Sequence, residues 1–274
     1  MTVFKRTRGF LAILALSSVF GCTPKTNFAA PTRSIETLRI YTTDTTAPLL
    51  NVLSTSYEAH AVSVSITWDV AVGNQESLLN RLNRSEMRYF LTQQLPQDAR
   101  LWAAPLAQDA LVFVVHPASG ISALTLNDLR RVYVGTLTNW RELGGADLPI
   151  VLFSREAGAD VRAEFERLVM GQRRTSPNAQ VLPSSEAMQD RVAEQAGAIG
   201  YLTLSQARQE ATLLSLEGVY PTRASLQDAT YPLRLTVYIV GREEPSQAYR
   251  AFVAWAQSDS GQSALAAPYA PLPR

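Results

Sequence analysis

"VLFSREAGADVRAEFERLV", residues 151–169, reads as a strand, a tight elbow and then a helix. Arg155 stands at the end of the strand, and Gly158 sits where the helix begins. A guanidinium beside the free amides of a helix start is how a chain holds an anion. The first helical turn, however, carries Ala159, Asp160 and Val161, where an anion site would want hydroxyls. Taken alone, the stretch leaves three readings open: a binding site, an altered one, or only a helix start.

Working outward, short strands alternate with helices from residue 36 onward. "TLRIY" (37–41) and the alternating "AVSVSIT" (61–67) predict strands. Between them Leu49, Leu50, Leu53 and Tyr57 recur at helical spacing. After Asn74, a candidate N-cap, "QESLLNRLN" predicts another helix. "ALVFVVHP" (110–117) is apolar enough for a strand buried on both faces. Short helical pieces follow in "LTLNDLRRVYVG" and "LTNWRELGG". Next come strand 150–154, helix 159–170, strand 179–182, helix 185–195 and the strand "AIGYL" (198–202). A long strand, "YPLRLTVYIVG" (231–241), precedes an amphipathic helix over 246–257. Repeated βα units predict an α/β fold with a largely parallel sheet and helices on both faces. Over a stretch this long two lobes are the natural solution, with ligand at the strands' carboxyl ends.

Composition narrows the function classes. The 274 residues are 46% hydrophobic and 18% charged, enough to bury a real core. A formal net charge of +1 points to neither nucleic acid nor an anionic membrane surface as partner. "MTVFKRTRGFLAILALSSVFGC" has a basic head, an apolar run from Phe10 to Phe20, and Gly21 before Cys22. That is the architecture of an export signal, with a run too short to span a bilayer. "VFGC" resembles the lipobox of bacterial lipoproteins, which implies that Cys22 is acylated and becomes the first residue. The other reading is an incidental cysteine at a signal's end. Because Cys22 is the only cysteine, an internal disulfide is excluded. Removing residues 1–21 takes three basic and no acidic residues, leaving 22 against 24, a formal −2 over 253 residues. "TPKTNFAAPTRS" (23–34) then reads as a polar tether. No further segment is apolar enough to cross a membrane.

Four stretches resemble those of the phosphate-binding receptors of ABC transporters. "NDLRRVYVGTLTNWRELGG" (127–145) is similar to their F-x-G-x-x-x-N-W segment, and "GAIGYLTLSQA" (197–207) to their G-A-I-G-Y strand and helix. "LEGVYPTRASLQDATYPLRLTVYIVG" (216–241) is similar to their G-x-x-P-T and Y-P-L return. "YTTDTTAPLL" (41–50) resembles their opening G-S-T-T-x-x-P loop and helix. The resemblance runs over about residues 37–270. It implies an α/β, two-lobed type II periplasmic-binding-protein fold with a two-stranded hinge and a ligand cleft. The expected organisation is a lipoprotein signal at 1–21, a tether at 22–36, one lobe from 37–112 plus 234–274, and a second from 113–233. Trp140 and the tyrosines of these motifs read as packing residues, and the GAIGY glycines as places of close backbone approach.

In that family oxyanion contacts come from three helix starts, one arginine and an acidic acceptor. Arg155 falls where the family arginine belongs, and Gly158 keeps its place at the elbow. The family's Ser-Gly-Thr becomes Ala159, Asp160 and Val161, so two ligand-facing hydroxyls are absent. The first loop offers Thr42, Thr43, Asp44 and Thr45, with either Thr43 or Asp44 at the contact position. The second aligns near "VGNQES", offering Asn74 and Gln75. The third falls near "EMRYFLT" (86–92), which has no aspartate. Losing two hydrogen bonds to a charged ligand costs about 3–6 kcal/mol, or roughly a hundred- to ten-thousandfold in affinity. Asp44 or Asp160 is expected to pair with Arg155; the competing reading is a slipped alignment that hides a working site.

Enzyme chemistry has little support. His60 and His116 lack metal-ligand spacing, and there is no phosphate loop with lysine, no serine elbow and no zinc pattern. The expectation is a lipid-anchored, monomeric solute-binding protein without cofactor or metal. It would capture phosphate or a related oxyanion outside the cytoplasmic membrane and present it to an ABC transporter permease, closing by a hinge motion. The alternative is a surface lipoprotein that keeps the fold, no longer binds phosphate, and acts as a sensor or scaffold.

Overall fold

The computed structural model describes residues 36–70, 75–265 and 268–273. Cys22, the signal, the tether and Asn74 lie outside the described residues. The chain opens with β1 (Glu36–Thr42), in which buried Leu38 and Ile40 alternate with exposed Arg39. α1 (Ala47–His60) turns Leu49, Leu50, Leu53 and Tyr57 into the core, the stripe its spacing predicts. β2 (Val64–Val70) starts later than "AVSVSIT" suggests. Ala61 caps α1 instead, its N–H donating to the Tyr57 carbonyl at 2.7 Å. α2 (Gln75–Asn83), β3 (Tyr89–Thr92) and the long β4 (Trp102–Val115) follow.

The second half begins with β5 (Ala123–Leu124) and α3 (Leu126–Val134). It continues through β6 (Val151–Arg155), α4 (Asp160–Phe165), β7 (Gln180–Leu182), α5 (Ser185–Glu194), β8 (Ala198–Thr203), β9 (Ser215–Leu216) and α6 (Arg223–Gln227). The chain then returns through β10 (Arg234–Gly241) to α7 (Gln247–Gln257) and α8 (Asp259–Ala264). Two predicted bounds shift. α4 is shorter than the predicted helix, because Glu166–Met170 widens into a π turn closed by Gly171 N–H on the Glu166 carbonyl. β10 begins at Arg234, since Tyr231 leaves the ladder to bury its ring.

Eight strands form one sheet in the order β2-β1-β3-β10-β4-β8-β6-β7. The predicted parallel pairing holds within each flank, for β2-β1-β3 and for β8-β6-β7. The centre is antiparallel, at β3-β10, β10-β4 and β4-β8. The reason is connectivity: β4 carries the chain out of the first half and β10 brings it back, so the two run in opposite directions. β4 serves both halves. Trp102 to Ala110 pair with β10, and Leu111 to Val115 pair with β8.

Separate cores mark the two lobes. One packs Phe113, Tyr133, Phe165 and Tyr201, with Phe165 stacked on Tyr201 at 4.2 Å. The other flanks β1, with Leu38, Leu53 and Phe252 on one face and Leu78, Leu82 and Phe90 on the other. Two chain segments cross between them. There Leu111 N–H donates to the Leu233 carbonyl at 2.9 Å, and the Tyr231 hydroxyl donates to the Leu111 carbonyl at 3.0 Å. The fold is α/β and two-lobed, with a two-stranded hinge.

The sequence motifs meet in space. Asn139 caps the turn Trp140–Leu143 through a capping box with Glu142, which fixes buried Trp140. The Trp140 indole N–H donates to the Gly197 carbonyl at 2.8 Å, joining the N-W segment to the GAIGY strand. At Gly200 a Cβ would stand 2.2 Å from Met188 Sδ, so a side chain there would force the Met188 side chain out of its place.

Candidate functional site

β6 ends on Arg155, which stands where residues of the two lobes meet. The Arg155 side chain is 1% exposed. Its Nε and Nη2 form a fork on Glu156, both at 3.0 Å, and its Nη1 donates to Ser185 Oγ at 3.1 Å. Nη2 also reaches Asp44 Oδ2 at 3.1 Å and the Pro183 carbonyl at 3.3 Å. Asp44 comes from the other lobe, so this ion pair spans the cleft. Burial alone would lower the Arg155 pKa; hydrogen bonding to Glu156 and the charges of Asp44 and Glu156 outweigh it and raise it. Behind the arginine, Tyr201 accepts from Arg155 N–H at 3.1 Å and bonds Ser154 Oγ at 2.9 Å. Arg162 in α4 holds the Arg155 carbonyl at 2.8 Å.

The elbow brings its own carboxyl into the cleft. Gly158 takes φ +98°, in the left-handed region that favours glycine, and lets the chain turn into α4. Ala159 occupies the N-cap and supplies no side-chain cap. Asp160, at the first position of α4, is 3% exposed, and its Oδ2 has no hydrogen-bond partner. It faces the opposite lobe beside Thr43, Asp44 and Thr92, with Glu164 on its own helix. Burial pushes its ionisation up to about 7, the Thr43 and Thr92 hydroxyls oppose the rise, and the charges of Asp44 and Glu164 add to it.

The threonine loop before α1 is knit to itself. Thr42 Oγ1 lies 2.7 Å from Thr46 Oγ1, and Thr43 Oγ1 lies 2.9 Å from Thr45 Oγ1 and 3.0 Å from Thr46 Oγ1. Thr42 and Thr45 are fully buried, so their hydroxyls brace the start of α1. Of the loop residues singled out from sequence, Thr43 and Asp44 face the other lobe. Gln75 lies elsewhere: its amide donates to the Gln94 carbonyl.

Several residues of this cluster carry no local signal. Ser185 accepts from Arg155 and donates to Gln206 Oε1 at 2.8 Å, while Gln206 Nε2 donates to the Asp44 carbonyl at 3.0 Å. From Gln206 the bonds continue through Thr203 and Ser205 to Asp109, a fully buried carboxylate at the lobe crossing. Asp109 also accepts from Ala110 N–H at 2.7 Å and from Gln93 at 3.3 Å, yet burial holds its ionisation at about 6. Glu156, beside Arg155 in sequence, was legible in principle; Thr46, Thr92, Ser185 and Gln206 depend on distant pairing. His60 packs on Trp255, and His116 Nδ1 accepts from Ala118 N–H at 3.1 Å, so both have structural roles. Among the described residues, no group of three or more His, Cys, Asp or Glu is placed to hold a metal ion.

Two α/β lobes that share one sheet and close over a buried guanidinium define a two-lobed binding protein. The chain belongs to the PBP superfamily, whose domain model matches residues 28–260. Phosphate-binding protein PstS of Borreliella burgdorferi is 23% identical over 235 residues, 80% of this chain and 83% of that one. PstS of Bacillus subtilis is 26% identical over 152 residues, 55% of this chain; the match spans half of the Bacillus protein's length, 50%. Among solved structures, a putative phosphate ABC transporter substrate-binding protein with bound phosphate from Clostridium perfringens superposes with a TM-score of 0.75. It is 23% identical over 84% of this chain and 96% of that one.

Proposed function

We propose that this protein is the solute-binding receptor of an ABC transporter and captures phosphate or a related oxyanion between its lobes. The observation that carries this reading is Arg155, a buried guanidinium at a strand's end whose cross-cleft partner is an exchangeable carboxylate. An entering oxyanion takes the position of Asp44 on Nη2, and Ser185 Oγ and the Thr43 loop complete its surroundings. The names of the relatives support the same solute class. A lipid on Cys22 and the polar tether moor the monomer outside the membrane, within reach of a permease. No helix among the described residues is long and apolar enough to cross a membrane. Calorimetric titration with inorganic phosphate and a panel of oxyanion-bearing solutes tests the reading. Binding that is lost in Arg155→Ala supports it; binding that survives that substitution, or no binding across the panel, removes it.

A second reading is a sensor or scaffold that keeps the fold without transport. It is favoured by the fork of Glu156 on Arg155 and by Asp160 in the first turn of α4, since both put negative charge where an anion would go. A failed solute panel together with a stable complex with another protein would support it.

A further inference from the structure

We propose that the solute of this cleft is a small zwitterion, whose oxyanion head meets Arg155 and whose ammonium group meets Asp160 and Asp44, in preference to inorganic phosphate. The proposal rests on the reading of the cleft as a solute site and names the solute's chemistry.

Charge balance in the cleft favours a ligand that carries both signs. Among the described residues Arg155 is the one cation within hydrogen-bond reach of Asp44, and Glu156 already engages it through two bonds. Glu156 and Asp44 are equally exposed, but Glu156 is the neighbour in sequence and holds Arg155 by two bonds; Asp44, on the opposite lobe with one bond, is the partner that a ligand can replace. Once replaced, Asp44 becomes an unpaired carboxylate beside Asp160 and near Glu156. A bare dianion adds negative charge to that group, and like charges within a few ångströms repel strongly in a partly dehydrated site. An ammonium on the same ligand re-pairs Asp44.

Asp160 Oδ2 is buried without a hydrogen-bond partner, although Thr43 and Thr92 lie against the same carboxyl. Buried acceptors are normally satisfied, and one facing the opposite lobe is matched by a donor on the ligand. Inorganic phosphate as the dianion has a single P–OH donor, enough for one of Asp160 and Asp44, whereas an ammonium has three and can serve both.

Spacing sets the size. Arg155 and Asp160 both face the two-residue stretch Thr43–Asp44, so the ligand's opposite charges must lie close together. An aminoethyl arm beside a phosphonate has that reach. Glu164 also bears on Asp160, but its carboxylate is paired with Arg167 at 2.5 Å and is not free for the ligand.

Calorimetry with 2-aminoethylphosphonate, ethylphosphonate and inorganic phosphate tests the proposal, because the first two differ only in the amine. The amine is expected to improve affinity about tenfold or more over ethylphosphonate and over phosphate. Asp160→Asn, and separately Asp44→Asn at the exposed partner, are each expected to reduce that advantage. If ethylphosphonate or phosphate binds as tightly as the aminophosphonate, the zwitterion proposal falls while the cleft remains a solute site. An advantage that neither substitution reduces overturns the assignment to Asp160 and Asp44. Failure of all three ligands while another oxyanion binds overturns this proposal alone; failure of the whole oxyanion panel removes the solute-site reading and this proposal with it.

Discussion

Burial holds the Asp160 carboxyl at about 7, against an ordinary value near 3.8, and linkage fixes the sign of its effect on stability. Between those two pH values the folded chain binds more protons than the unfolded one, so stability falls as pH rises through the window. Below the unfolded value there is no penalty; above about 7 it is complete, on the order of 4 kcal/mol. Asp109, held at about 6, adds a change of the same sign at lower pH. Asp160→Asn is therefore expected to stabilise the protein at pH 8 and to have little effect at pH 4. Thermal unfolding across that range checks it; a gain that does not grow with pH would contradict the ionisation assigned here. At this scale the sequence was partly legible. Arg155, Gly158 and the missing hydroxyls could be seen along one stretch. What Asp160 faces could not, because Thr43 and Thr92 reach it only after three separate segments have folded together.

Helices and strands were read with more success, and the errors have physical causes. "ALVFVVHP" marks only the distal part of β4, because the preceding "WAAPLAQD" carries Pro105 and two polar residues that disguise a strand. Proline is tolerated because the β10 register shifts between Val237 and Tyr238, and Pro105 sits at that irregularity opposite Tyr238. Gln108 bonds backbone to backbone with Ala270, and Asp109 holds the lobe crossing, so neither polar residue lies idle. Two substitutions probe this level. Gly200→Ala is expected to cost about 1–3 kcal/mol by forcing Met188 out of its place, measurable by chemical denaturation. Tyr231→Phe removes the hydroxyl that holds the Leu111 carbonyl and is expected to cost about 1 kcal/mol. Faster hydrogen exchange at the Leu111 amide would locate that loss at the crossing.

For the whole molecule, the contacts that span the cleft among the described residues are mixed in kind. They include the Arg155–Asp44 pair, the Gln206–Asp44 bond, and Asp160 against Thr43 and Thr92. Asp44 is 44% exposed, so Asp44→Ala is expected to change global stability by less than about 1 kcal/mol. The same change releases one tie between the lobes, and small-angle scattering is expected to report a larger radius of gyration; an unchanged radius would show that the pair does not hold the lobes together. β4 adds a constraint of another sort, since one strand lies in the ladders of both lobes. With the returning segment it forms the crossing, and any rotation of one half against the other must be absorbed by the few peptide units around Leu111 and Leu233. For the solute proposed above, residence time would then depend on the stiffness of those two short lengths of backbone as well as on the groups that grip it.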